Sequence, residues 1–441
     1  MREETVIIQK MAFGGSGIGR LNGKVCFVPF TAAGDTVKIL LKNEKKSYCE
    51  GEVSEIVEPS PLRVVPPCPV FGRCGGCDWQ HMEYSAQLEA KQGIFTEILS
   101  RNGKVEANRI LPIIGAEEPY EYRSRVQLKM RSVRGEIYLG FFAQGSHSVV
   151  NIPSGCAISS PSINKTVEEL RAVLAGFPEP EMLPQIDITS GDDGDVLIVF
   201  HYDGIDRDRI CNFLHGQSNR LSLVRGIFLQ SGRKNTILPV SGLESTSYSV
   251  SDKIFKGLHG MRLKTSRGGF SQVNYRQNSV LIDLVLQWID PRGEERILDL
   301  YCGNGNFSLP VARYAAEVTG FEEYEQSIKD AEDNRLSNKL ANAKFECIDS
   351  VKGLKRLTAS DQNFPVVILD PPRSGAPKAV ELIPLIKPLK IIYISCDPAT
   401  LARDISKLRE FDYLVTKSRP VDMFPQTYHI ESVTLLERRE P

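Results

Sequence analysis

Two rhythms of apolar and polar positions divide the chain. Through residues 1–58 the apolar positions fall in short runs, TVIIQKM, KVCFVPF, DTVKILLKN and CEGEVSEIV, with glycines in the turns between them (Gly14, Gly15, Gly17, Gly19, Gly34). Short, evenly spaced runs of this kind predict strands, and together a small β-barrel. The segment PSPLRVVPP at 59–67 has four prolines and predicts a stiff crossover. YSAQLEAKQGIFTEILSR, at 84–101, has amphipathic helical spacing. From 120 to 265 the pattern is mixed α+β, with strands such as VQLKMRS, IYLGFFA and DVLIVFH. Beyond that, apolar strands (ERILDL, EVTGFE, VVILD, KIIYIS) alternate with helical segments (SVLIDLVLQWI, EQSIKDAEDNRLSNK, LARDISKL). This is the βαβ rhythm of a doubly wound, Rossmann-like parallel sheet. The reading is an α/β protein of three domains, 1–58, 59–265 and 266–441, with helix 84–101 placed to pack on the last.

Composition adds exclusions. The chain has 441 residues, 41% hydrophobic and 25% charged, which is globular and excludes wholesale disorder. Lys and Arg number 54 against 55 Asp and Glu, so a bulk polycation is excluded and any nucleic acid must meet a local surface. The first 58 residues are balanced, eight basic against eight acidic, although Lys42, Lys45 and Lys46 make a local basic loop or simply a solvated hairpin tip. Residues 101–134 carry a net +4, and Arg123, Arg125, Lys129 and Arg131 alternate, sharing one face of a strand. That face suits phosphate and suits solvent equally. No apolar stretch approaches the ~18 residues of a membrane helix, and no signal-like segment precedes MREETVIIQK. A cytoplasmic protein with reduced thiols is expected.

Ten cysteines then need a use. Cys68, Cys74 and Cys77 crowd into CPVFGRCGGCDWQH, where Gly75 and Gly76 let the backbone turn around a shared centre, and Cys156 in NIPSGCAIS is the best fourth ligand. Zinc and a 4Fe-4S cluster both take four cysteines, and the spacing does not choose between them. Cys26, Cys49, Cys211 and Cys347 stand singly and read as core.

In the last domain, chemistry gathers at strand ends. Asp299, Gly303 and Gly305 mark the first strand-to-helix turn, with Ser308 where a dinucleotide fingerprint needs its third glycine. Glu322 and Asp349 end the next two strands, so three acids suit an adenosine-type ligand, or each caps a helix. With no phosphate-gripping loop, S-adenosylmethionine fits better than a dinucleotide. Asp370 ends VVILD, and Cys396 ends KIIYIS ahead of a helix start. Partial exposure and a helix N-terminus favour a thiolate, making Cys396 a candidate nucleophile. Cys302 lies inside the glycine turn and packs or lines the cofactor site. Glu431 enters an otherwise apolar strand, a costly place for an acid unless it is used, so it is a candidate base. His429 lies near it.

FSQVN (270–274), DLYCGNGNF (299–307), LDPPRSG (369–375), YISCDPATLARD (393–404) and FPQTYHIESV (424–433) resemble, in order, the motifs of the RNA uracil-5-methyltransferase family. The resemblance covers nearly the whole chain. The N-terminal barrel resembles a TRAM domain, an RNA-binding module, and the four cysteines resemble the 4Fe-4S site of the family's ribosomal RNA branch. One departure is Asp397, where the family usually has asparagine. The resemblance implies that Gln272, Tyr301, Asn306, Glu322, Asp349 and Asp370 contact S-adenosylmethionine. It implies Cys396 as nucleophile, Glu431 as base, and Cys68, Cys74, Cys77 and Cys156 as cluster ligands. The implied substrate is a flipped loop uridine of 23S ribosomal RNA, methylated by a cytoplasmic monomer. Other readings are a transfer RNA enzyme, an amino-group methyltransferase of the Asp/Asn-Pro-Pro type, and a non-catalytic iron–sulfur RNA sensor. The second of these favours an aromatic after the prolines, where this chain has Arg373.

Overall fold

The computed structural model describes residues 2–232, 237–240, 253–267, 269, 271–360 and 362–439. Strands β1 (Glu3–Met11), β2 (Gly17–Leu21), β3 (Lys24–Val28), β4 (Thr36–Glu44) and β5 (Tyr48–Glu58) close into a barrel in the order β1-β2-β3-β5-β4. Alternation puts Val6, Ile8, Cys26, Val28, Val37, Ile39 and Cys49 inside. At Gly19 a Cβ would lie 2.2 Å from the Val6 side chain, so only glycine lets these strands close. The proline-rich crossover is fastened to the barrel by Arg63, whose guanidinium donates to both oxygens of the buried Asp35 carboxylate at 2.8 and 2.7 Å.

Helix α1 (Tyr84–Asn102) buries Phe95 and Leu99 in one core with Leu401, Ile405 and Leu408 of the C-terminal unit. Its polar side chains are used as well. Lys91 is fully buried and donates to Asp422 Oδ1 at 2.6 Å and to the Phe424 carbonyl at 3.0 Å, and the Tyr84 hydroxyl donates to Asp422 Oδ2 at 2.9 Å. Gln87 donates to Gln426 Oε1 at 2.9 Å. Helix α1 therefore anchors the 422–429 loop.

A seven-stranded mixed sheet follows, from β6 (Arg125–Val133), β7 (Glu136–Phe142), β8 (Val149–Asn151), β9 (Gln185–Ser190), β10 (Val196–His201), β11 (Val224–Gln230) and β12 (Ile237–Pro239). Helices α2 (Pro161–Leu174) and α3 (Arg207–Gln217) bury their apolar faces with it. Of the alternating basic residues on β6, Arg125 donates to the Gly269 carbonyl at 2.7 Å, Lys129 donates to Gln185, and Arg131 is exposed. The hairpin β13 (Lys253–Leu258) and β14 (Met261–Ser266) leads into the last sheet.

That sheet contains β15 (Arg296–Leu300), β16 (Glu317–Glu322), β17 (Ala343–Cys347), β18 (Val366–Leu369), β19 (Lys390–Ser395), β20 (Tyr413–Val421) and β21 (Glu431–Arg438), in the order β17-β16-β15-β18-β19-β21-β20. The first five run parallel, and β21 inserts antiparallel beside β19. Helices α4 (Tyr275–Ile289), α5 (Ser308–Ala312), α6 (Glu325–Ser337), α7 (Ser350–Thr358), α8 (Ala379–Leu382) and α9 (Pro398–Arg409) connect or cover the strands. One sequence expectation fails here. Cys347 is exposed rather than core, because β17 is an edge strand and its last residue faces solvent; Cys211 is only half-buried.

Candidate active site

Register brings the candidate residues together. Leu300 pairs with Phe321 on one side and Leu369 on the other, so Tyr301, Glu322 and Asp370 stand side by side at three neighbouring strand ends. Strand order reverses between β15 and β18, which opens a crevice at that point. On the other side of β18, Ser395 of β19 pairs with Ser432 of β21, so Cys396 and Glu431 face each other across the ladder. One cavity of about 600 Å³ runs along these ends and is lined by Gln272, Tyr301, Asn306, Glu322, Asp349, Asp370, Cys396 and Glu431. Of the FSQVN motif, Phe270 lies outside the described residues.

The glycine turn is tight. Tyr301 itself is left-handed (φ 63°), as are Gly303 and Gly305, a conformation a tyrosine holds only against strain. Glu322 accepts from the Gly303 and Tyr324 amides at 3.3 and 2.9 Å, which fixes its carboxylate at the cavity wall. Asp349 caps α7, accepting from the Lys352 amide at 3.0 Å, and lines the cavity as well, so capping and ligand contact are compatible at this residue. Asn306 forms a reciprocal amide pair with Asn278 of α4, at 2.7 and 2.9 Å. Asn278, Lys256 and Phe424 also line the cavity; Phe424 opens the FPQTYHIESV motif, and no sequence motif pointed to the other two. Lys256 donates to the Ser124 hydroxyl at 2.8 Å and to the Gln272 carbonyl at 3.2 Å, and so positions Gln272. Burial brings its ammonium down to about 8.

The electrostatics at Cys396 overturn one expectation. Burial, then Glu431 and Asp370, push the thiol up to about 12, so the free protein holds a thiol and not a thiolate. The helix start that was to favour the anion carries Asp397, whose carboxylate caps α9 by accepting from the Ala399 and Thr400 amides, both at 2.9 Å. An asparagine oxygen would accept the same two bonds, which explains why Asp397 is tolerated here. Burial raises Asp370 to about 8, and burial followed by Asp370 holds Glu431 well above the carboxylate range. Arg373 opposes the shifts of Cys396 and Glu431 and stands 3.4 Å from His429 Nε2. His429 faces the cavity as a neutral imidazole, its pKa lowered to about 4 by burial and then by Arg373.

The four crowded cysteines meet elsewhere. Cys68, Cys74, Cys77 and Cys156 all line a separate cavity of about 100 Å³ beside the central sheet. Among the described residues no three His, Cys, Asp or Glu side chains converge tightly enough to hold a metal ion, so the metal centre expected from sequence is not shown by the geometry. The thiols surround a space rather than a point.

A doubly wound sheet with an antiparallel strand beside β19, and carboxylates at the ends of its strands, defines an S-adenosylmethionine-dependent methyltransferase. The family model for tRNA (uracil-5-)-methyltransferases matches residues 83–439, and the TRAM domain model matches residues 2–54. The chain belongs to that family, the S-adenosylmethionine-dependent RNA uracil-5-methyltransferases. It is 34% identical to an RNA methyltransferase of Thermosynechococcus vestitus over 97% of this chain and 96% of that one. It is 34% identical to the 23S rRNA (uracil(1939)-C(5))-methyltransferase RlmD of Alkalilimnicola ehrlichii, over 98% of this chain and 96% of that one. The crystal structure of Pyrococcus abyssi tRNA (uracil-54, C5)-methyltransferase in complex with S-adenosyl-L-homocysteine superposes with a TM-score of 0.73 at 26% identity, covering 98% of this chain and 100% of that one.

Proposed function

We propose that this protein methylates carbon 5 of an unpaired uridine in 23S ribosomal RNA through a covalent Cys396–uracil adduct, with Glu431 as the base. The observation that carries the reading is the β19–β21 register, which sets a cysteine opposite a buried glutamate in the same cavity as the strand-end acids Glu322, Asp349 and Asp370. The ribosomal target is supported by RlmD relatives that match the chain nearly end to end, barrel included. A paired base cannot reach a cavity of this kind, so the uridine is flipped out or lies in a loop.

Gln272, Tyr301, Asn306, Glu322 and Asp349 are the proposed contacts to the cofactor, with Asp370 beside it and Glu322 and Asp349 assigned to its ribose and base. Bound S-adenosylmethionine supplies the methyl group and a positive sulfonium charge. A cation in this acid-rich cavity favours the ionised forms of Cys396, Asp370 and Glu431, which burial alone suppresses. Asp370 takes the Cys396 proton, and the thiolate bonds to carbon 6 while the carbon 5–carbon 6 π pair moves into the carbonyl as an enolate. Protonated Asp370 then donates a hydrogen bond to that oxygen. Carbon 5 bonds to the methyl group, and the S–methyl bond pair stays on sulfur. Glu431 removes the carbon 5 proton, the double bond re-forms, and the carbon 6–sulfur bond breaks to return the thiolate.

The four cysteines are proposed to hold a 4Fe-4S cluster that folds the central segment. A cavity ringed by four thiols suits a cluster better than a single ion, and the reaction needs no redox step. Anaerobic purification should give a brown protein with about four irons; a colourless zinc protein would replace the cluster by zinc.

The test of the main reading is covalent trapping. Transcripts of 23S rRNA fragments and of tRNAs, made with 5-fluorouridine, are incubated with the protein and S-adenosylmethionine. Fluorine cannot leave as the proton does, so a denaturation-stable adduct should accumulate on a 23S fragment and be absent in Cys396→Ala. Adducts on tRNA alone would reassign the substrate, and adducts formed equally by Cys396→Ala would sink the mechanism.

A further inference from the structure

We propose that Lys256, on the β13–β14 hairpin, binds the α-carboxylate of S-adenosylmethionine. The proposal rests on the cofactor contacts proposed above and deepens them by placing the amino-acid tail. That tail ends in a carboxylate, remote from the adenosine. Five acids line the cavity, Glu322, Glu323, Asp349, Asp370 and Glu431, against two cations, Lys256 and Arg373. A carboxylate entering such a cavity costs free energy unless a cation meets it. Arg373 is engaged at the chemical end, where it stands 3.4 Å from His429 and acts on Cys396 and Glu431. Lys256 is the cation that remains.

The hairpin places it on the right wall. With the adenosine at Glu322 and Asp349 and the methyl group directed at Cys396, the tail is left the side that the hairpin closes. Lys256 pairs with Leu263 and Ile254 with Thr265, so Lys256, Leu263 and Thr265 share one face of the ladder, and all three line the cavity. Asn304 of the glycine turn donates to Thr265 Oγ1 at 3.1 Å and so holds the hairpin against the turn between β15 and α5.

The ammonium has capacity for a ligand. Lys256 is 6% exposed, and among the described residues its ammonium donates only to two neutral oxygens, Ser124 Oγ at 2.8 Å and the Gln272 carbonyl at 3.2 Å, with no carboxylate partner. An ammonium has three N–H groups, so one is left. The charged side chains that face it are Asp192, from the β9–β10 turn, and Arg125 of β6. The Asp192 carboxylate accepts from the Gly257 amide at 2.5 Å, and Arg125 donates to the Gly269 carbonyl at 2.7 Å. Burial outweighs Asp192 and leaves the lysine at about 8. A buried cation without an anion is stabilised by one that arrives with the ligand, and its pKa then rises.

The test is calorimetric titration of the full-length protein with two ligands. One is S-adenosylhomocysteine; the other is S-adenosyl-3-thiopropylamine, which keeps the adenosine, sulfur and amine and lacks the carboxylate. Lys256→Met should weaken S-adenosylhomocysteine by roughly ten- to a hundredfold, as expected for loss of one charge-assisted hydrogen bond, and should not weaken the amine ligand. Equal weakening of both would mean that Lys256 only positions Gln272, and unchanged binding of S-adenosylhomocysteine would mean that the carboxylate is held elsewhere; either overturns the proposal. Glu322→Gln should weaken both ligands alike, because both carry the ribose. If it spares both, the adenosine placement fails on its own, and the Lys256→Met result still decides the carboxylate contact. Should Lys256→Met not fold, the wild-type protein decides the matter through proton uptake, measured at pH 8 in buffers of different ionisation heat. Lys256 is half-charged there, so S-adenosylhomocysteine should take up about half a proton more than the amine ligand does. Equal uptake by the two ligands overturns the contact.

Discussion

Cys396 should be a poor nucleophile until the cavity is filled. Its thiol is pushed from 9.0 up to about 12, first by burial, then by Glu431 and Asp370. Three pH units reduce the thiolate present near neutral pH by about a thousandfold. The rarer thiolate is intrinsically more reactive. With a Brønsted slope of about 0.4–0.5 it recovers roughly fifteen- to thirtyfold, leaving a net deficit of about thirty- to sixtyfold before any steric hindrance. The assay is iodoacetamide labelling followed by peptide mass spectrometry across about pH 6.5 to 10.5, with the exposed Cys347 as a reference in the same chain. At about pH 7.5 Cys347 should be labelled at least roughly thirtyfold faster than Cys396. The sign is that of an acid with a raised pKa: thiolate is gained as pH rises, so the Cys396 rate should climb without a plateau through about pH 10. A cationic cofactor analogue such as sinefungin should narrow the gap more than neutral S-adenosylhomocysteine, which controls for blockage of the cavity. A plateau below about pH 9, or ligand-free labelling as fast as that of Cys347, would refute the reasoning and restore the helix-start argument drawn from the sequence.

What could be read from the sequence was local. The alternation of β1–β5 and the βαβ rhythm after residue 290 each sit inside one short window, so the barrel and the parallel sheet were legible. Cys396, Asp370 and Glu322 stand out in the sequence because each follows or ends an apolar run that is itself a strand, and Glu431 because it enters one; the structure brings all four to one cavity. The ionisation of Cys396 was not legible, because it depends on Glu431, brought opposite only by the antiparallel return of β21. The exposure of Cys347 depends on which strand forms the sheet edge, and no window around residue 347 contains that fact. Lys256 and Asn278 were missed for a similar reason: each reaches the cavity from a hairpin or helix whose own pattern is ordinary. The α1 network was half legible. The amphipathic spacing gave the helix, but Lys91 reads as a solvated lysine until its partner Asp422 is seen.

The cap of α9 gives a graded series: Asp397→Asn should change stability by less than about 0.5 kcal/mol, whereas Asp397→Ala should cost about 1 kcal/mol by losing two amide bonds, both read from urea midpoints. Asp299, with Oδ1 buried and unpartnered among the described residues, is raised by burial to about 7. Its folded pKa lies above its unfolded one, so it stabilises the fold less as pH rises from about 4 to 7. Asp299→Asn should therefore gain on the wild type in melting temperature between about pH 5 and 8, and a pH-independent offset would contradict this. The last prediction concerns the loop that carries Phe424 and His429 into the cavity. Lys91 and Asp422 are both fully buried and joined at 2.6 Å, and among the described residues the Asp422 carboxylate keeps only the Tyr84 hydroxyl if the lysine goes. Removing one partner of such a pair costs about 3–5 kcal/mol, because the other charge stays buried, whereas replacing both with apolar groups costs far less. Lys91→Met should lose stability in that range, and Lys91→Met with Asp422→Leu should recover most of it. The double variant still lacks the bond from Lys91 to the Phe424 carbonyl, so its methylation rate should stay depressed while S-adenosylhomocysteine binding, proposed to use the β15–β17 strand ends, should be retained. Equal stability losses in the single and double variants would mean that the ion pair is not what makes the site sensitive. Full activity in the double variant would mean that the 422–429 loop holds its position without α1.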